Sequence, residues 1–370
     1  MLANQTFTDR VIDAIGHHPD HVWVEPGLAL LGWGISERLD VGTGPERYRR
    51  AHDAVRSAGH RVVFASFTFE DEEPGSFVVV PATVAKVTPD DFEMVRGDLP
   101  SAPGPGIEMP NAVGAPRVAD GWREGFETAM KALRETNLEK VVLSRTVEIS
   151  FDRDLLPASV VAGLLRDQER SFVFAADGLV GSSPELLARL EGTRVRSVSL
   201  AGSMSKSGGN GALSNAKNRR EHELAAESVA AALAPVTASL ERGDVHETSF
   251  ADIVQLATVF EGETEPGITI LDLIERLHPT AAVAGTPTTA ATDLIREIES
   301  HRRGRYAGPV GWFDSSGNGT FAIALRCGQI RGRDIILYTG AGLVEGSEER
   351  SEYAETEIKL MPMLRSLGLS

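Results

Sequence analysis

Four stretches of this chain carry side chains whose types and spacing can do chemistry. The first holds Lys140, at the head of KVVLSR. Strand alternation puts Lys140, Val142 and Ser144 on one face and Val141, Leu143 and Arg145 on the other. On a half-buried face, desolvation works against an ammonium and makes the amine usable as a base near neutral pH. A lysine at a strand's start with its amine in water fits the same residues. The second is Glu185 in GSSPELL, just behind a Gly-Ser-Ser-Pro turn. A carboxyl partly buried there holds its proton and serves as a general acid, and a solvated turn carboxylate has the same local pattern. The third is acidic. Glu352, Glu355 and Lys359 fall at i, i+3 and i+7, on one helical face, and a second helix carries Glu221-His222-Glu223. Two helices each offering a carboxylate suit Mg²⁺, which takes few protein oxygens and keeps some water. An exposed Glu–Lys ladder has this spacing too. Zinc through His222 is rejected, because no other histidine stands at ligand spacing. The fourth is Arg326, ending FAIALR. It shares a strand face with Ala322 and Ala324, opposite Phe321, Ile323 and Leu325, so a guanidinium beside small residues has room to grip a carboxylate. A strand-end arginine paired with an acid is the plainer alternative. Further on, Gly340 and Gly342 in TGAGLV let backbone N–H groups approach an anion. There is no GxGxxG loop and no P-loop, so nucleotide binding has little support.

Positioning these groups requires a mixed α+β chain. Residues 21–35 and 61–87 read as strands, rich in Val, Phe and Trp and broken by Gly and Pro. Pro45 to Ser57 has helical spacing, and Leu99 to Pro116 is punctuated as a linker or a long surface loop. Helices follow over Asp120–Thr136, Leu155–Gln168, Ala216–Pro235, Thr269–Leu277, Thr289–His301 and Glu348–Leu367. Strands are expected over 138–150, 171–177, around Arg189 and over Arg194–Leu200, with a loop in SKSGGNGALSNA. The run from GPVGWF to TGAGLV reads as one antiparallel meander turning at SSGNG and RGRD. Strict βαβ alternation is absent, so α+β with large antiparallel sheets fits best.

The 370 residues carry 53 acidic and 37 basic side chains, a formal net charge of −16. That excess argues against a binder of nucleic acid or anionic membrane. An apolar fraction of 42% excludes a disordered chain. A single cysteine, Cys327, excludes an internal disulfide. With no secretory pattern in MLANQTFTDR and no apolar run of spanning length, the chain is expected in the cytoplasm.

Taken in order, KVVLSR, GSSPELL, SLAGSMSK, NRREHEL, HPTAAVAGTP, YAGPVGWFDSSGNGTFAIALR, TGAGLV and SEYAETEIKL resemble the chorismate-utilising enzymes. That family comprises isochorismate, salicylate, anthranilate and aminodeoxychorismate synthases. The resemblance covers roughly residues 110 to 365 and matches residues 1–100 only loosely. It implies one large domain of long antiparallel sheets flanked by helices, with residues 1–105 its β-rich N-terminal part and 106–370 its chorismate-binding catalytic region. It implies Mg²⁺ held by Glu221 and Glu355, with Glu352 acting through water, against the ring carboxylate. Arg326 and the Gly342 backbone would take the enolpyruvyl carboxylate, with Gly202, Gln255, Ala282, Tyr306 and Lys359 framing the substrate. Bare glutamates would repel a dicarboxylate, and the metal inverts that sign.

The resemblance also implies a branch. These enzymes add a nucleophile at C2 of the ring while the C4 hydroxyl leaves. Ammonia needs little activation, but water needs a base; Lys140 supplies one where ammonia-using relatives typically have glutamine. Glu185 would protonate the departing hydroxyl. Ala201 stands where the aminodeoxychorismate branch has a lysine nucleophile, which argues against that branch. Small Ala282 favours stopping at isochorismate over continuing to salicylate, the alternative, and a non-catalytic chorismate-binding paralogue is the remaining one. Water chemistry requires no glutaminase subunit, and a monomer is expected. One departure is Gln255, where the family usually has histidine; glutamine can donate a hydrogen bond but cannot shuttle a proton.

Overall fold

Strand pairing branches outward from Phe77–Val87, whose residues are paired on both edges. The computed structural model describes residues 6–59, 62–100, 106–167, 171–206, 211–250 and 253–369. From Phe77–Val87, one arm runs through Leu28–Asp40, His21–Glu25, Phe172–Ala176 and Leu179–Ser183. It continues through Cys327–Arg331, Asp334–Val344 and Lys140–Phe151 to the edge strand Ala112–Val118. The other arm runs through Val63–Ser66, Pro309–Phe313, Gly319–Ile323 and Leu186–Glu191. It ends with Arg194–Ser205 and Ile253–Thr264, flanked by Thr237–Arg242 and His246–Ser249. Every one of these pairings is antiparallel, so the expected α+β class with long antiparallel sheets is what the chain forms.

Alternation along the strands explains the layering. In His21–Glu25, Trp23 faces a core shared with Phe313, Phe321 and Leu187 of the second arm. Val22 and Val24 face the opposite way, into a second core filled by Val11, Leu164, Leu360 and Met363 from helices. The centre of the first arm is therefore buried on both faces, which is why strands such as His21–Glu25 and Phe172–Ala176 read as nearly continuous apolar runs rather than clean alternations. The larger core joins Trp23 and Phe64 to residues beyond 106 without a break, so the chain is a single domain.

Two helices carry the acidic clusters. Ala216–Leu233 starts at Asn215, whose side chain accepts a hydrogen bond from the Asn218 backbone N–H. Glu349–Ser366 has Glu349 and Glu352 in its first turn, where the helix dipole favours carboxylates. Where the first helix passes the sheet, Gly202 lies at φ +72, and a Cβ there would come 2.5 Å from the Asn218 carbonyl oxygen. Glycine is what lets the helix sit this low.

The sequence reading departs from the structure in several places. The expected single meander is two hairpins, Pro309–Phe313 with Gly319–Ile323 and Cys327–Arg331 with Asp334–Val344, on different arms. The chain crosses between arms at residues 324–326, so Arg326 lies on no strand and the alternation argument for its face does not apply. The region expected as a linker or surface loop ends in a strand, Ala112–Val118, while its residues 101–105 lie outside the described residues. So do residues 207–210 of the expected loop and Gln168 at the end of the expected 155–168 helix. The 61–87 stretch is two strands joined by residues 67–76. A first helix, Phe7–Ile15, was not expected, although Thr6 and Asp9 form a capping box at its start.

Replacing Gly202 with Ala should lower stability by about 1–3 kcal/mol, from backbone strain plus the clash with Asn218. Urea unfolding monitored by circular dichroism measures it. An unchanged midpoint would mean the contact does not seat the helix.

Candidate active site

Residues from both arms and both helices close around one cavity, with about 680 Å³ of space between its walls, mouth included. Glu185, Glu221, Gln255, Ala282, Tyr306 and Arg326 line it, together with Gly342 and Lys359. Lys140 lies behind Gly342: a Cβ at 342 would be 3.0 Å from Lys140 Cε and 2.2 Å from Glu221 Oε1. The missing side chain lets the helix carboxylate reach across the strand to the lysine. Lys140 has no exposed surface, and its Nζ is 3.2 Å from Glu221 Oε1. Burial pushes the Glu221 carboxyl up, but the charges of Lys140, Lys217 and Lys359 outweigh burial and hold it below the usual range.

Glu185 and Arg326 occupy the two adjacent points where the chain crosses between arms. Glu185 lies between Leu179–Ser183 and Leu186–Glu191, and Arg326 between Gly319–Ile323 and Cys327–Arg331. The crossings are stitched by Ser182 N–H donating to the Arg326 carbonyl at 3.1 Å and Ile323 N–H donating to the Glu185 carbonyl at 3.2 Å. Among the described residues the Glu185 side chain forms no salt bridge, and burial raises its pKa to about 8 against the opposing pull of Lys140 and Lys359. At neutral pH it is a proton-bearing acid in a cavity wall, which suits a general acid. Arg326 sits at φ +45, an uncommon backbone region for a residue with a Cβ. Its guanidinium donates to Gln255 Oε1 at 3.2 Å and lies over the Phe250 ring at 5.2 Å.

Gln255 also donates to Ser203 Oγ at 3.1 Å, so it orients Arg326 through a fixed amide. Tyr306 stacks on Tyr338 with ring centroids 5.1 Å apart, and a Cβ at Gly340 would meet its hydroxyl at 3.1 Å. Lys359 Nζ is 2.6 Å from Glu355 and donates to the Gly340 carbonyl at 3.1 Å. Ala282 and Ala201 are small wall residues. Gly202, between the lining residues Ala201 and Ser203, contacts the helix rather than the cavity. His222, rejected as a zinc ligand, shares a hydrogen bond of 2.8 Å with Thr258 Oγ1 in the core.

Glu352 and Glu355 do not line the cavity. Glu352 is almost fully buried and pairs with Lys217. Its pKa is raised by burial first and then by the neighbouring Glu355 charge, with Lys217 pulling the other way. Among the described residues, no three carboxylate, imidazole or thiol groups stand together at metal-holding geometry. The donor chemistry nevertheless fits Mg²⁺, with hard carboxylate oxygens only, and the charges of Glu355 and Glu221 add to burial in raising the Glu352 pKa, so a cation is favoured there. In the structure each of Glu221, Glu352 and Glu355 has a lysine as that cation. Sequence reasoning missed Lys217, although it stands four residues before Glu221 on the same helical face. It also missed the wall residues Val142, Val283 and Tyr338, which carry no chemical signature.

A family model described as a chorismate binding enzyme matches residues 109–368. The isochorismate synthase MenF of Bacillus subtilis is 39% identical over 264 residues, 67% of this chain and 56% of that protein. The match therefore spans little more than half the length of that relative. The isochorismate synthase DhbC of the same organism is 35% identical over 374 residues, 93% of this chain and 92% of that protein. The crystal structure of DhbC from Bacillus anthracis superposes with a TM-score of 0.85 at 25% identity, covering 98% of this chain and 100% of that one.

The folded protein holds the Glu185 proton more tightly than the unfolded chain, where the ordinary value is 4.5. Its contribution to stability is therefore full below about pH 4.5, declines as pH rises, and is gone above about pH 8. Melting temperatures of wild type and Glu185→Gln between pH 5 and 9 test this. The gap between the two should change across that window, and parallel curves would refute the buried-acid assignment.

Proposed function

The chain belongs to the chorismate binding enzymes, and from that premise we propose that it is an isochorismate synthase, converting chorismate reversibly to isochorismate. The observation that carries the reading is a proton-bearing carboxyl, Glu185, in the cavity wall, with a buried amine, Lys140, directly behind the wall residues Gly342 and Glu221. Lys140 acts in its neutral form, its ammonium proton first released to solvent: water attacks ring C2 while that amine takes a proton, and Glu185 delivers a proton to the departing C4 hydroxyl. One water enters and one leaves, so the product is an isomer of the substrate. Afterwards Lys140 holds an extra proton and Glu185 lacks one, and a net transfer between them through solvent restores both.

Arg326, oriented by Gln255, grips the enolpyruvyl carboxylate, and the Gly342 backbone approaches it from the opposite strand. Lys359, Tyr306 and Ala282 frame the ring. Glu221 and Glu355, with Glu352 through water, would hold Mg²⁺. When bound, that ion supplies positive charge to the ring carboxylate in a site otherwise rich in glutamate. Because water is the nucleophile, no ammonia-delivering glutaminase is needed, and we read the chain as a monomeric cytoplasmic enzyme acting alone.

Purified chain, chorismate and Mg²⁺, with and without ammonium, test the reading by liquid chromatography and mass spectrometry. The expected product has chorismate's mass, with no pyruvate released. EDTA should stop turnover and added Mg²⁺ restore it, and the rate should fall above about pH 8 as Glu185 loses its proton. Lys140→Ala should lower kcat by roughly 10²–10⁴-fold while ligand binding persists. Salicylate with pyruvate would instead make this a salicylate synthase, and an ammonium-dependent amine would remove Lys140 from the role of base. Chorismate binding without turnover would leave a binding paralogue.

A further inference from the structure

We propose that Lys217 is a built-in cation of the acidic cluster, and that a divalent metal binds there only by displacing its ammonium from Glu352. The inference rests on the metal reading above and adds a competitor to it. Lys217 and Glu221 stand four residues apart on the Ala216–Leu233 helix, and Glu352 and Glu355 three apart on the Glu349–Ser366 helix. The Lys217–Glu352 ion pair joins those two faces.

The three ammoniums around the cluster are not equivalent. Lys140 pairs with Glu221 and also acts on Glu185, so it belongs to the reaction side. Lys359 pairs with Glu355, but it is anchored to the Gly340 carbonyl and likewise acts on Glu185. Lys217 pairs with Glu352, outside the cavity lining, and its charge acts on Glu352, Glu221 and Glu355 together. It is the ammonium whose charge reaches all three carboxylates.

Its side chain is also the one able to leave. Lys217 keeps 30% of its side-chain surface in solvent, while Lys140 keeps none and Glu352 only 2%. A flexible four-carbon stem can swing its head into water with little strain. Glu352 cannot follow. An ammonium in contact with Glu352 and a dication on the same carboxylates would repel one another strongly in so buried a place. Occupancy by one therefore excludes the other. Without metal, Lys217 keeps the crowded carboxylates balanced, and with metal its head is released into solvent.

Isothermal titration of MgCl₂ alone, without substrate, tests this in wild type, Lys217→Met and Lys217→Gln. Arg219→Met, an exposed cation two residues on, controls for loss of general positive field. Both Lys217 variants should bind Mg²⁺ about three- to tenfold more tightly than wild type, with Arg219→Met unchanged. Without metal the Lys217 variants should melt lower than wild type, and saturating Mg²⁺ should close that gap. Either Lys217 variant soluble enough to titrate suffices. Equal or weaker Mg²⁺ affinity in the Lys217 variants, with wild type binding, overturns the competition and leaves the metal reading standing. An equal gain in Arg219→Met also overturns it. No Mg²⁺ binding in any of the proteins overturns the metal reading and this inference with it.

Discussion

Lys140 and Glu221 are both buried, 3.2 Å apart, and much of the local architecture is arranged so that they meet. A lone charge in that position would be strongly destabilising, and removing one partner of such a pair typically costs several kcal/mol. The lysine is on Lys140–Phe151 and the glutamate on Ala216–Leu233, with the Asp334–Val344 strand between them. Gly342 pairs with Val142 across the sheet, and its bare Cα is the gap through which Glu221 passes. The helix can lie that close because small residues meet at the contact: its own Ala225 and Ala226 have no exposed surface, and Gly202 of the sheet fits under Asn218. A side chain at either glycine would lift the helix and separate the pair. The buried amine's pairing thus depends on two absent Cβ atoms in strands far apart in sequence.

The two chain crossings impose a different constraint. A strand leaving one arm for the other must turn through the space between layers, and its side chains there cannot reach solvent. At the first crossing the buried side chain is Glu185, which responds by keeping its proton. At the second it is Arg326, which cannot lose its charge and instead takes a left-handed backbone to reach the cavity and the Gln255 amide. One geometry therefore supplies a neutral acid and a permanent cation side by side, because the two residue types answer desolvation differently.

Which parts of this were readable from residues alone follows from the range of the interactions. The acidic faces of both helices showed at i, i+3 and i+4, because helical geometry is local. Lys140 stood out on its strand for the same reason, but its complete burial did not, since that depends on Gly342 and on a helix some 80 residues away. The ordered motifs resembling a known family brought those distant segments together, which spacing could not do. Arg326 does line the cavity, but it was picked on a mistaken structural argument: FAIALR looks like one strand, yet the strand stops at Ile323 where the chain changes arm. Nothing in that hexapeptide encodes the exchange of pairing partners. Lys217 and the capping box at Thr6 carried local signals that were available and unread.

Charge balance ties the acidic composition to the proposed chemistry. Glu221, Glu352 and Glu355 face Lys140, Lys217 and Lys359, and Arg326 stands beyond them with Glu185 uncharged at neutral pH. The cluster is close to neutral, with one guanidinium in excess, inside a chain of net charge −16. A dicarboxylate entering alone would meet that single excess charge and a repulsive global field. A dicarboxylate entering with a dication adds no net charge, and the ring carboxylate then has a partner of its own beside the one Arg326 gives the enolpyruvyl group. On this reading the surplus of acid over most of the surface does not hinder substrate capture. Under the proposed function, a small electrically balanced interior is matched to a metal and a dianion that together add no net charge.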